Sequence, residues 1–243
     1  TATDKKRGRG KKISFSPIKN FAIKKNIPVH QPKNLKSEEF INLMQKIKPD
    51  LFVVVAFRML PEILINIPKY GSINLHASFL PNYRGAAPIN WVIINGEKET
   101  GVTIFFINKK IDEGDIISKK KIKINEDETA GSLHDKLMKE GAKLLRDSIK
   151  NIFIKNIKRE IQKISLKDIK APKIQKKDCF INLDLDDKNI IQLIKGLSPY
   201  PGARIIHNNK VFKIIDAKNI NNYVAEIGLN QIEDKIILNN NNK

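Results

Sequence analysis

Two apolar runs dominate the first half of the chain. LFVVVAF, 51 to 57, is mostly β-branched and predicts a strand buried on both faces. SINLH, 72 to 76, predicts a second strand, reached through the short segment PEILINIP. Ahead of them, Ser37 is placed to cap a helix with Glu38 and Glu39 in its first turn and Phe40, Leu43, Met44 and Ile47 along one face. Helix, strand and strand in that order predict a parallel α/β sheet. PINWVIIN, from Pro88, predicts a helix, GVTIFFIN (101 to 108) another buried strand, and IISKKKIKI (116 to 124) a strand with a lysine-covered face. Thr129 or Ser132 then begins a long helix through Leu133, Leu137, Leu144, Leu145 and Ile149.

The two ends read differently. KKRGRGKK, 5 to 12, alternates cations with Gly and predicts a mobile basic loop, because Gly costs about 1 kcal/mol in a helix interior. Pro17 suits a helix start, with IKNFAIKKN supplying one apolar face. After KDIKAPKIQKKD, 167 to 178, an amphipathic helix near 187 to 196 precedes SPYPGAR and short strands at about 204–207, 211–216, 223–228 and 235–238. Asn208-Asn209 suits the positive φ values of a tight hairpin. The expectation is an α/β domain over 1–166, a linker over 167–178, and over 179–243 a small antiparallel β domain resembling an OB-type barrel. The closing NNNNK is low in complexity and expected to be disordered.

Composition adds a possible partner class. The 243 residues carry 45 Lys+Arg against 26 Asp+Glu, a net charge of +19 that suits a polyanion such as RNA or DNA. Only seven of the 45 are Arg, so a drift in coding composition explains the lysines equally well. Cys179 is the only cysteine, which excludes an intrachain disulfide and fits a reducing compartment. No apolar run approaches the roughly 18 residues of a membrane span, and a soluble cytoplasmic protein is expected. The chain opens with Thr, not Met, so a processed product or a fragment is expected.

Alternation along SINLH turns Ile73 and Leu75 one way and sets Asn74 beside His76 on the other. Ligands of open α/β sheets gather where such a strand ends. By itself a lone His is more often structural. Between two predicted strands, IDEGDII (111 to 117) offers Asp112, Glu113 and Asp115 around Gly114, and an acidic turn is normally just solvated. If this turn folds against the end of strand 72–76, one acid holds His76 protonated and oriented while Asn74 donates a hydrogen bond, a trio able to stabilise an oxyanion and shuttle protons.

INLHASFLPNYRGAAPINWVIINGEKETGVTIFFINKKIDEGDII resembles the formyltransferase family that uses 10-formyltetrahydrofolate, with its Asn-x-His strand end, its loop of S-L-L-P-x-x-R-G type and its acid-x-Gly-Asp turn. RGAAPI, ETGVT, GRGKK, SPIK and SPYPGAR resemble the branch that formylates methionyl-tRNA more than the branch acting on glycinamide ribonucleotide. The resemblance implies a Rossmann-like catalytic domain and a C-terminal tRNA-binding barrel. It places the catalytic trio on Asn74, His76 and Asp112, the tetrahydrofolate-contacting loop on Ser78, Phe79, Leu80 and Pro81, and the tRNA-contacting loop on Arg7, Arg9, Lys11 and Lys12. The implied donor is 10-formyltetrahydrofolate, the implied acceptor initiator methionyl-tRNA, with no metal, no protein partner and a monomeric state. Against the family pattern the first strands and the end of the barrel are missing, so a truncated or reduced chain with an unpaired sheet edge is expected. Two other readings stand beside it: a catalytically silent RNA-binding remnant, and a formyltransferase acting on a small phosphorylated amine.

Overall fold

A computed structural model of the chain describes residues 1–7, 12–56, 58–163, 165–217, 229–232 and 235–238. The chain divides into two compact units, Thr1–Leu75 with Phe105–Asp115, and His76–Ile104 with Ile116–Lys243.

In the first unit, β1 (Lys5–Arg7) and β2 (Lys12–Ser14) form an antiparallel ladder that sets Arg7 opposite Lys12. The flanks of the basic stretch are therefore paired strand, where a mobile loop was expected; residues 8–11 lie outside the described residues. Ser16 caps α1 (Pro17–Lys24), its hydroxyl accepting from the Lys19 amide at 3.3 Å. The predicted apolar face of α1 is not buried: Ile18 and Phe21 stay exposed because nothing among the described residues covers them. Ser37 precedes α2 (Glu38–Ile47) as expected, but its hydroxyl donates to the Asn34 carbonyl at 3.0 Å and does not cap the helix. Met44 of α2 packs with Leu35 and Leu64. β3 (Phe52–Val55) leads through the short helix α3 (Glu62–Ile65) to β4 (Ser72–His76), and β4 runs parallel to β3 with Val54 opposite Asn74.

The second unit holds β5 (Arg84–Gly85), α4 (Pro88–Ile94) and most of β6 (Glu99–Phe106), followed by β7 (Ile116–Lys123) and α5 (Ala130–Phe153). β3, β4, β6 and β7 are neighbours in that order in one four-stranded sheet. Among the described residues this makes β3 an edge strand. Val53 and Val55 are exposed, so the continuous apolar run does not mark burial on both faces as predicted; only alternate side chains of the edge find cover. β6 does match its prediction, with Val102, Ile104 and Phe105 all buried. Thr129 begins α5 through a reciprocal capping box with Ser132. Ser118 on β7 meets Ser148 on α5 at 2.6 Å.

The lysines of β7 alternate between its two faces, where a single lysine-covered face is predicted, and they carry their own counter-charges. Lys119 pairs with Glu160 at 2.7 Å, Lys120 with Glu140 at 2.5 Å, and Lys121 with Glu99. Hydrogen bonds from Lys120 and Lys143 hold the Glu140 carboxyl down to about 2, against an ordinary value of 4.5. Because the folded value is the lower one, this cluster stabilises the fold above the ordinary value and loses its contribution as pH falls toward the folded one. In urea melts from about pH 5.5 to about pH 2, Glu140→Gln should therefore be less stable than the parent at the upper end and converge with it at the lower. The exposed setting keeps the difference small.

Beyond α5, the segment expected as a linker is packed. β8 (Lys170–Ala171) pairs in parallel with β5, and Ala171 is fully buried. α6 (Asp187–Leu197) is capped by Asp186, and its Ile190, Ile194 and Leu197 form a core with Cys179 and Ala203. β9 (Ala203–His207) and β10 (Lys210–Ile214) form the predicted hairpin, turning on Asn208 and Asn209 at φ 46° and 59°. β11 (Leu229–Ile232) and β12 (Lys235–Leu238) form a second antiparallel pair. Among the described residues these are two separate pairs, not a closed barrel. The strand expected at 223–228 and the NNNNK tail lie outside the described residues.

Candidate active site

β4 ends in the pair that the alternation predicts. Ile73 is fully buried on one face, and Asn74 and His76 share the other. His76 is itself buried, and its Nε2–H donates to the Tyr83 carbonyl at 2.9 Å. A carbonyl oxygen only accepts, so this contact fixes the proton on Nε2 and orients the ring. Asn74 Oδ1 is buried with no hydrogen-bond partner among the described residues. A buried amide oxygen left that way carries a desolvation cost that a ligand donor relieves.

The loop after β4 is built from its own polar atoms. Ser78 Oγ donates to the Asn82 carbonyl at 2.7 Å. Thr103 Oγ1, from β6, donates to the Ser78 carbonyl at 2.7 Å and accepts from the Leu80 amide at 3.2 Å. Ser78 and Leu80 are fully buried, so these two shape the loop, while Phe79 and Pro81 remain partly exposed. Two lysines flank the Phe79 ring, Lys119 Nζ at 5.2 Å and Lys121 Nζ at 5.3 Å from its centroid.

Asp112 lies in the turn between β6 and β7, in the first unit with Asn74, and has a left-handed backbone, φ 55°, which Asp adopts more readily than most residues. Glu113 pairs with Lys110 at 3.5 Å. The turn is pinched shut by the Phe106 amide, which donates to the Asp115 carbonyl at 2.9 Å, and Gly114 packs against the Phe106 carbonyl. Of the basic-loop candidates, Arg7 and Lys12 are backbone register partners in the β1–β2 ladder, and Arg9 and Lys11 lie outside the described residues.

Sequence reasoning passed over two features. Tyr83 is one: buried, its hydroxyl donates to Glu97 Oε1 at 2.6 Å and accepts from Asn95 Nδ2 at 3.1 Å, and burial, reinforced by Glu97, pushes its hydroxyl far above the ordinary value. The other is a cavity of about 410 Å³ in the first unit, where the chain leaves β3. Lys33, Lys36, Arg58 and Lys109 line it with one acid, Glu62, and Arg58 donates to the Pro32 and Lys33 carbonyls at 2.7 and 2.9 Å. Thr103 had a readable signal, a hydroxyl inside the apolar run GVTIFF.

A family model described as formyl transferase matches residues 1–149, and one described as formyl transferase, C-terminal domain, matches residues 173–241. The chain belongs to the formyl transferase family. It is 48% identical over 204 residues to a protein of Flavobacterium psychrophilum named methionyl-tRNA formyltransferase, covering 84% of this chain and 64% of that relative. To a protein of the same name from Clostridioides difficile it is 43% identical over 219 residues, covering 90% of this chain and 71% of the relative. The match thus spans less than two thirds of the first relative's length. A sugar N-formyltransferase from a Shewanella species shares the fold, with a TM-score of 0.68 at 24% identity over 82% of this chain and 81% of that one. For a formyl transferase the pair on β4 has apt chemistry: an amide that donates, and an imidazole whose orientation is fixed from the backbone.

Proposed function

We propose that this chain transfers a formyl group from 10-formyltetrahydrofolate to the free amino group of initiator methionyl-tRNA, a reaction of the cytoplasm. The observation that carries the reading is the buried His76, anchored to the Tyr83 carbonyl and sharing one face of the strand end with Asn74. The names of the relatives support the acceptor.

10-Formyltetrahydrofolate supplies the formyl group to be transferred. Asn74 donates from its amide to the formyl oxygen as that atom gains charge, which is where a placed donor has most effect. The amine nitrogen bonds to the formyl carbon as the carbon–N10 bond breaks, and the proton the amine gives up passes by way of His76 and a water oriented by Asp112 to N10 of the departing tetrahydrofolate. Ser78, Phe79, Leu80 and Pro81 form the loop on which the folate ring system rests, with Phe79 and Pro81 the two that keep accessible surface. The four cations around the cavity beyond β3 suit the carboxylates of the folate tail. Arg7, Arg9, Lys11 and Lys12 contact the acceptor end of the tRNA, which gives an affinity that falls with salt.

The test is formyl transfer by the purified chain, with methionyl-tRNA, glycinamide ribonucleotide and an amino-sugar nucleotide offered in parallel. Transfer to methionyl-tRNA alone is expected. Preference for either small amine overturns the acceptor assignment, and no transfer by a folded chain that binds tRNA favours a silent RNA-binding protein.

A further inference from the structure

The contacts around Tyr83 lead away from the reacting groups and into the segment beyond α5. Tyr83 has a left-handed backbone, φ 61°, a conformation that costs a bulky residue energy and persists only where the surroundings impose it. The surroundings here are residues 165–171. The Tyr83 amide donates to the Ile169 carbonyl at 2.6 Å, the Ile169 amide donates back to Asn82 Oδ1 at 3.1 Å, and the Ala87 amide donates to the Ala171 carbonyl at 3.2 Å. Between them, Arg84 and Gly85 of β5 lie opposite Lys170 and Ala171 of β8. Gly85, φ 126°, permits this approach, since a Cβ there would sit 2.4 Å from the Ala171 carbonyl oxygen.

One side chain clamps the arrangement. Arg84 Nε and Nη2 donate to Gln162 Oε1 at 3.3 and 3.1 Å, and its Nη1 pairs with Asp168 Oδ2 at 3.3 Å. The same Asp168 oxygen accepts from the Ser165 amide at 3.0 Å. The Arg84 and Asp168 side chains are only 11% and 13% exposed, so solvent does little to screen the pair.

We propose that Asp168, Gln162 and Arg84 are positioning residues for His76: they hold segment 165–171 against loop 82–87, and so hold the Tyr83 carbonyl where it keeps the His76 proton on Nε2. A loop relaxed by a fraction of an ångström lets the ring turn and mixes its tautomers, which costs rate without removing any group that touches substrate. The kinetic half of the proposal rests on the role of His76 in formyl transfer; the tautomer half does not.

Asp168→Ala, with the milder Asp168→Asn, tests both halves. Long-range proton–nitrogen spectra report the His76 tautomer, hydrogen exchange at the Tyr83 amide reports the hold on the loop, and kcat and KM report the chemistry. The expected result is faster exchange at Tyr83, a shift of His76 from a single Nε2–H form to a mixture, and a kcat lowered about tenfold to 100-fold with KM for the folate unchanged, Asp168→Asn lying between Asp168→Ala and the parent. If Asp168→Ala does not fold, Asp168→Asn decides. Faster exchange with tautomer and kcat both unchanged overturns the proposal, as does exchange unaltered in both variants. Should the parent chain transfer no formyl group at all, the tautomer spectra still decide, and that failure falls on the proposed function instead.

Discussion

His76→Ala should lower kcat for formyl transfer by about 100- to 10,000-fold, the range expected when a positioned acid–base group is lost. The variant also strips the Tyr83 carbonyl of its donor inside a buried setting, which costs about 1 to 3 kcal/mol of stability. Those two effects separate experimentally. Single-turnover transfer measured well below the melting temperature reports the chemistry, and urea unfolding reports the orphaned carbonyl. A variant that keeps within a few-fold of the parental rate would remove His76 from the mechanism and leave it as a structural residue of the loop.

Gly114→Ala is expected to damage both stability and activity. An alanine Cβ at this position lies 1.6 Å from the Phe106 carbonyl oxygen and 2.8 Å from its carbonyl carbon. Both atoms belong to the backbone, so no side-chain rotation relieves the clash. The turn must open, and with it goes the bond from the Phe106 amide to the Asp115 carbonyl. The expected loss is about 3 kcal/mol, the upper end for forced overpacking, with a fall in kcat as Asp112 leaves its left-handed position. Comparison with Asp112→Asn, whose side chain also tolerates the left-handed backbone, separates the two: the latter should lose activity while keeping the unfolding midpoint near that of the parent. An unchanged midpoint in Gly114→Ala would show that the turn yields more cheaply than its backbone contacts indicate.

What the sequence reveals here is what side-chain pattern encodes. The alternation of SINLH sets Asn74 beside His76, the Thr129 cap starts the long helix, and Asn208-Asn209 makes the hairpin, each from a local rule. β3 defeats the same reasoning because four apolar residues look alike in the middle of a sheet and at its edge; only the neighbour on each side tells them apart. Ser37 defeats it because a serine ahead of a helix has a choice of partners, and the Asn34 carbonyl is taken. The hold on His76 was illegible for a deeper reason. It runs through a main-chain carbonyl that any residue at position 83 possesses, and through a segment some eighty positions away whose pairing leaves no periodic mark.

The run of lysines on β7 has an electrostatic consequence. Lys119, Lys120 and Lys121 look in sequence like a landing strip for a polyanion, yet each faces a carboxylate of the same unit. Seen from a distance, these dipolar pairs cancel and project little field into solvent. The excess of 19 positive charges is therefore carried by cations elsewhere on the chain, and the approach of any polyanion would be governed by those cations and not by the lysines of β7.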